Sequence, residues 1–333
     1  MSQFHESLQL TEGKAQSSEP GSVQAASNSR EGHDLALVLG GGGAAGNAWQ
    51  IGVIAGLAEG GLDLTVRADL VVGTSAGATT AALVRSNIPP AELLASVLSP
   101  SAPPVGRSPE RTPSIPMATV FERMRTISAA AISAADLQKA MGAFGLESDA
   151  ILEPEAAQRR AVVAARLPRP EWPEWPMIVV ALDAHTGELA EFDRNSGVEL
   201  VDAVNASTAL PGSVPTVSIN GGRFISGGVR SPDNADLAAG YANVVVLSPL
   251  GGRSGTLPEG QFEGLRRPPE WGADLAGQVE ILRQQGSHVE IITPDDDSRA
   301  AMGTNQMDPA TRIPAARAGL AQGKREATRV TFN

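Results

Sequence analysis

Ser75 stands at the centre of Gly73-Thr74-Ser75-Ala76-Gly77, directly after the apolar run Leu70-Val71-Val72 and directly before the Ala/Thr run Ala78–Ala82. A G-x-S-x-G between a strand-forming and a helix-forming segment is the pattern of a nucleophile elbow, in which the apex serine is held in a strained backbone conformation. A side chain at Gly73 or Gly77 would collide with the neighbouring strand or helix where the turn is tightest. Ser75 would project its hydroxyl at a helix N-terminus, where free N–H groups and the helix dipole favour developing negative charge. The chemistry that suits such a residue is nucleophilic attack on an acyl carbon.

A second cluster, Gly40-Gly41-Gly42-Gly43-Ala44-Ala45-Gly46, follows the apolar run Leu35–Leu39. It carries two readings. Gly41-x-Gly43-x-x-Gly46 after a strand matches a dinucleotide fingerprint, which would cradle a pyrophosphate on a helix N-terminus. That reading needs an acid at the end of the next strand, yet the next strand begins with its acid, Asp69, and ends in the elbow. The other reading is an oxyanion hole, in which the N–H groups of Gly41, Gly42 and Gly43 lie beside Ser75 through parallel pairing of the two strands.

Both clusters must be positioned by a βαβ unit: strand Leu35–Leu39, glycine turn, a small-residue helix Asn47–Leu57, and the strand Asp69–Val72. Ile88-Pro89-Pro90 ends the helix behind the elbow. Further strands are expected at Met177–Leu182, Leu189–Phe192 (its hairpin partner), Arg223–Ile225, Asn243–Ser248 and His288–Ile292. Helices are expected at Met117–Arg125, Ala134–Met141, around Ile151–Arg166, at Asp236–Tyr241, Ala273–Gln284 and Ala315–Thr328. Residues 1–33, rich in Ser, Gln, Glu and Gly, read as a disordered leader to a domain spanning 34–333. Within that domain, 99–176 is a helical and loop insertion, opening with a Pro/Ser/Arg-rich loop, and 296–333 a tail carrying a helix. The insertion packs on the sheet or serves as a lid or acyl-chain channel. Trp172-Pro173-Glu174-Trp175-Pro176 is a stiff apolar corner suited to the core, with interfacial anchoring as the alternative.

L-G-G-G-G-A-A-G followed by V-G-T-S-A-G resembles the patatin-like phospholipase family. Asn205–Pro211 is similar to that family's A-S-x-x-x-P segment, and Ser226-Gly227-Gly228-Val229 sits where its D-G-G block belongs. The resemblance covers Leu35 to Leu250 and implies a three-layer α/β/α fold with a mainly parallel central sheet. It also implies a serine lipid acyl hydrolase with no metal or organic cofactor. Ser75 would be the nucleophile, Gly41–Gly43 the oxyanion donors, and Ser226 the occupant of the position that holds the dyad aspartate. Gly46, Gly73, Gly77, Gly227 and Gly228 would be the motif glycines that shape the loops.

Two departures from the family bear on chemistry. Ser226 accepts hydrogen bonds but is no general base at neutral pH. A lipid-binding or regulatory protein on a hydrolase scaffold is therefore the alternative to an enzyme. Asp233 and Asp236 follow the block and could replace the base, although Pro232-Asp233-Asn234 reads as a turn and helix cap. Asp183 and His185 lie on one turn, and His288 opens a strand, which suits neither histidine to a triad. The second departure is Ala44-Ala45, where the family commonly carries Arg or Lys. The glycine N–H donors do not depend on that cation, but a phosphate headgroup would lose an electrostatic partner.

Composition bounds the rest. With no cysteine and four histidines, thiolate chemistry and a Cys- or His-rich metal site are excluded. A formal net charge of −11 argues against nucleic acid and against recruitment to anionic lipid by a basic surface. Contact with a lipid surface through apolar side chains stays open. No run approaches the about 20 apolar residues of a membrane span, and no secretory pattern opens the chain, so a cytoplasmic location is the expectation.

Overall fold

The computed structural model describes residues 34–99, 114–251, 262 and 268–332. The expected leader, most of the Pro/Ser/Arg-rich loop and most of the stretch 252–267 lie outside the described residues. Eight strands form one sheet: β1 (Leu35–Leu39), β2 (Leu70–Thr74), β3 (Met177–Asp183), β4 (Leu189–Phe192), β5 (Val217–Ile219), β6 (Gly222–Ser226), β7 (Asn243–Leu247) and β8 (His288–Ile292). Their order is β5-β6-β3-β2-β1-β7-β8, with β4 pairing β3. The block β3-β2-β1-β7-β8 is parallel, and β4, β5 and β6 add an antiparallel edge.

The helices are α1 (Gly43–Glu59), α2 (Leu64–Arg67), α3 (Ala76–Val84), α4 (Pro90–Leu98), α5 (Met117–Ala130), α6 (Ala134–Leu152) and α7 (Ala156–Ala164). They continue with α8 (Leu200–Ser207), α9 (Leu275–Gln284), α10 (Asp296–Met302) and α11 (Arg312–Glu326). Because strand side chains alternate between faces, Leu35, Leu37 and Leu39 of β1 face one helical layer and Ala36 and Val38 the other. The first layer holds α1, α3, α4, α8 and α11, and the second α9 with α5 and α6. This is the three-layer α/β/α arrangement with a mostly parallel sheet. All five residues of β1, β2 and β7 are buried, as strands covered on both faces must be.

Several elements differ from the sequence reading. Helix α1 starts at Gly43, inside the glycine cluster, and its first turn, Gly43-Ala44-Ala45-Gly46, carries only small residues. Pro90 opens α4 at its first position, where a missing N–H costs nothing, so the Pro pair ends one helix and begins another. The short elements α2, α8, α10 and β5 were too brief to show a periodicity. The tail is integral to the fold. A Cβ on Gly52 would lie 2.2 Å from the Ala316 carbonyl oxygen, and one on Gly319 2.4 Å from that of Trp49. Helices α1 and α11 thus touch backbone to backbone, and Trp49 Nε1–H donates to Gln322 Oε1 across the seam at 3.0 Å.

Candidate active site

The glycine loop and the elbow emerge from the carboxyl ends of β1 and β2, paired in register from Ala36↔Leu70 to Leu39↔Gly73. Open parallel sheets bind ligands outside that edge. Ser75 has φ 54° and ψ −117°, a conformation costly to a non-glycine residue. Packing enforces it. A Cβ on Gly77 would lie 1.9 Å from the Leu39 carbonyl oxygen, and one on Gly73 2.7 Å from Ala78 Cα. The Ser75 N–H donates to Ser207 Oγ at 2.8 Å, which ties the apex to the end of α8. Ser207 is fully buried, so the A-S-x-x-x-P segment braces the elbow.

The glycine loop is held from three sides. Gly40 N–H donates to Leu247 O at 3.0 Å, and Gly41 N–H to Pro232 O at 2.8 Å. The Gly40 carbonyl accepts from Gln50 Nε2 at 2.8 Å. Thr80 Oγ1 links Gln50 to Asn47 in a buried chain between α1 and α3. Gly43 has φ +64°, and a Cβ there would meet the Gln306 carbonyl oxygen at 2.7 Å. These bonds sort the three expected donors. Gly41 spends its N–H on Pro232, whereas Gly42 and Gly43 have no hydrogen-bond partner for theirs among the described residues. Gly41 instead lies flat against the serine: a Cβ on it would sit 3.4 Å from Ser75 Cβ.

Ser226 ends β6, which pairs with β3 (Ala181↔Ser226), while the residue before Ser75 pairs with Val180 of the same strand. The sheet therefore delivers Ser75 and Ser226 to one edge, and both line the same cavity. Ser226 Oγ accepts the Gly228 N–H at 3.2 Å, and the residue is 2% exposed. Gly227 packs on β3: a Cβ would lie 2.6 Å from the Val180 carbonyl oxygen. Asn234 donates to Thr74 Oγ1 at 3.0 Å and to Ser231 O at 2.7 Å, fastening this turn to β2.

Of the two downstream acids, Asp236 is engaged by the Arg230 guanidinium at 2.5 Å, and Asp233 lines the cavity with its carboxylate against Gly40. The turn-and-cap reading of Pro232-Asp233-Asn234 holds with Asn234, at φ 50°, rather than Asp233 in the cap position of the following turn. Asp183 Oδ1 accepts the N–H groups of His185 and Thr186 at 2.8 and 2.9 Å, a turn closure, and His288 Nε2 meets Glu290 at 3.2 Å on the far strand. The dinucleotide reading falls as well, since Asp69 sits at the opposite end of the sheet, accepting Leu35 N–H at 2.9 Å.

The cavity measures about 930 Å³. One wall is apolar, formed by Met124, Leu137 and Met141 of the α5–α6 pair with Leu210 and Val229. The other carries Asn47, Thr208 and three arginines. Sequence reasoning held Ser207 only as part of the A-S-x-x-x-P segment, without a role, and missed Gln50, Thr80 and those arginines. The visible signal was polar Asn47 and Gln50 inside an otherwise apolar helix. Among the described residues there is no cluster of His, Asp and Glu able to hold a metal, and no helix long and apolar enough to cross a membrane.

Comparison with protein families matches residues 37–239 to Patatin, the patatin-like phospholipase family. The chain belongs to that family. The match spans the glycine loop, the elbow, the Ser207 brace and the Ser226 block of this patatin-like chain. No curated protein matches it. Among solved structures it is similar to VipD from Legionella pneumophila, with 13% identity and a TM-score of 0.40, covering 89% of this chain and 66% of that one. It is also similar to the type III effector protein ExoU, with 15% identity and a TM-score of 0.33 over 88% of this chain and 53% of that one. A structure of ExoU with SpcU from Pseudomonas aeruginosa matches at 18% identity and a TM-score of 0.33, over 89% and 52%. The chain thus spans half to two thirds of the length of these structures.

Proposed function

We propose that the chain is a serine acyl-ester hydrolase acting on lipid esters. One observation carries the reading: Ser75, strained at φ 54°, lines an amphipathic cavity beside two glycine N–H groups that have no acceptor among the described residues. Ser75 Oγ attacks the ester carbonyl carbon and the carbonyl oxygen becomes an oxyanion. The Gly42 and Gly43 N–H groups donate to it where the α1 N-terminus adds its dipole. Collapse breaks the C–O bond to the leaving group, which departs as the alcohol with the proton given up by Ser75, and water then hydrolyses the acyl-enzyme and restores the proton on Ser75 Oγ. The apolar α5–α6 wall takes the acyl chain, which gives the insertion a channel role beside its packing on the sheet. Ile132, 87% exposed at the α5–α6 turn, supports peripheral contact with a lipid surface.

The proton on Ser75 is the weak point. Ser226 cannot hold it, and loss of a positioned base slows such reactions by about 10²–10⁴-fold. That observation favours a second reading, a lipid-binding protein with an impaired centre. Fluorophosphonate labelling separates the two, because it reports nucleophile competence even when turnover is slow. Labelling of the wild type and none of Ser75→Ala is the expected result. Absence of labelling in both, together with no turnover of p-nitrophenyl acyl esters by the wild type or by Ser226→Asp, would leave only the binding protein.

A further inference from the structure

The cavity lining also gathers Arg159 of α7, Arg166 just past its end, and Arg312 at the start of α11, from helices that pack in a different hydrophobic cluster from the α5–α6 pair. Arg159 donates to Thr208 Oγ1 at 2.8 Å and to Thr208 O at 3.3 Å, while its buried Nε has no partner among the described residues. Arg312 donates to Asn47 Oδ1 at 3.3 Å. Among the described residues no carboxylate pairs with any of the three. Burial pushes the Arg159 guanidinium down to about 10, and the neighbouring charge of Arg166 adds to this. Burial lowers Arg312 too, again with Arg166 contributing. Cations brought together with no paired carboxylate among the described residues are an unfavourable arrangement unless an anion completes it.

The cluster is also tied to the reacting centre. Thr208 follows Ser207, which holds the Ser75 amide, and Asn47 lies in the second turn of α1, which begins in the glycine loop. The cavity is thereby polarised, with cationic and apolar walls flanking Ser75.

We propose that Arg159, Arg166 and Arg312 form a subsite for the anionic group of an amphipathic ester, a phosphate or carboxylate whose attached acyl chain lies on the α5–α6 wall. This rests on the reading of Ser75 as the acyl-transfer centre. Guanidinium forks match such oxyanions in bidentate geometry. The positive charge absent from Ala44 and Ala45 of the glycine loop is supplied from α7 and α11 instead.

The test uses Ser75→Ala protein, so that binding is measured without turnover. Co-sedimentation with phosphatidylcholine vesicles containing phosphatidic acid is compared with phosphatidylcholine alone, and inorganic phosphate is titrated by calorimetry. The expected result is preference for the phosphatidic acid vesicles, weakened about tenfold by Arg166→Gln and by Arg312→Gln and less by Arg166→Lys. Arg166→Gln should not lower Tm in phosphate-free buffer, as loss of a structural arginine would. Phosphate binding with the same arginine dependence, but no vesicle preference, would overturn the headgroup assignment in favour of a free anion. Equal binding to both vesicle types without phosphate binding, or glutamine variants that bind like the parent, would overturn the subsite. Failed labelling of Ser75 would instead overturn the hydrolase reading and leave the binding result standing.

Discussion

Three loops meet over the sheet edge, and they match the family's motifs in different ways. The pair after β1 and β2 carries a strained Ser75, glycines at each point of contact, and two N–H donors with no hydrogen-bond partner among the described residues. The block after β6 keeps the geometry alone. Gly227 still packs on β3, Asn234 still fastens to Thr74, and Ser226 Oγ still caps the Gly228 N–H, a bond an aspartate side chain could equally accept. The difference shows that the turn is maintained by packing and by hydrogen bonds a serine can satisfy. A carboxylate at position 226 is not needed to hold this turn.

The largest effect should come from removing the chemistry of the intact side, where Ser75→Ala eliminates fluorophosphonate labelling entirely. Restoring it on the other side comes next. Ser226→Asp should raise p-nitrophenyl ester turnover by about 10²–10⁴-fold, with a rate that falls as pH drops through the carboxylate range. An unchanged rate would mean the two sides no longer cooperate. Gly77→Ala attacks geometry. With its Cβ 1.9 Å from a carbonyl oxygen, it should cost about 3 kcal/mol or more, read as a lowered Tm and lost labelling. Ser207→Ala is the mildest. It strands the Ser75 N–H and should cost about 1–3 kcal/mol, slowing labelling without abolishing it.

The elbow and the parallel core were legible because their signals are local: an apolar β-branched run, then glycines where only glycine fits. The start of α1 was hidden by the same glycines, which count against a helix when read alone. Helix α8 has eight residues, too few for a periodicity, so its sequence showed a motif and not an element. That Gly41 differs from Gly42 and Gly43 depends on a carbonyl at Pro232, far along the chain. The arginine cluster was illegible for the same reason. Its members come from two elements that only the closed fold brings together, and each alone reads as an ordinary surface cation.

The backbone contact between α1 and α11 has a consequence for how the protein is made. Trp49 waits for Gln322, 273 residues later, before its indole N–H is satisfied and the Gly52 face of its helix is covered. At about 5–20 residues per second of synthesis, the helix that carries the glycine loop spends ten seconds or more without its last partner. The nascent chain has its elbow strand early and its closed cavity late, with Arg312 among the last pieces to arrive. A fragment cut at the family match, 37–239, would leave α1 bare along its seam and is expected to aggregate rather than fold alone.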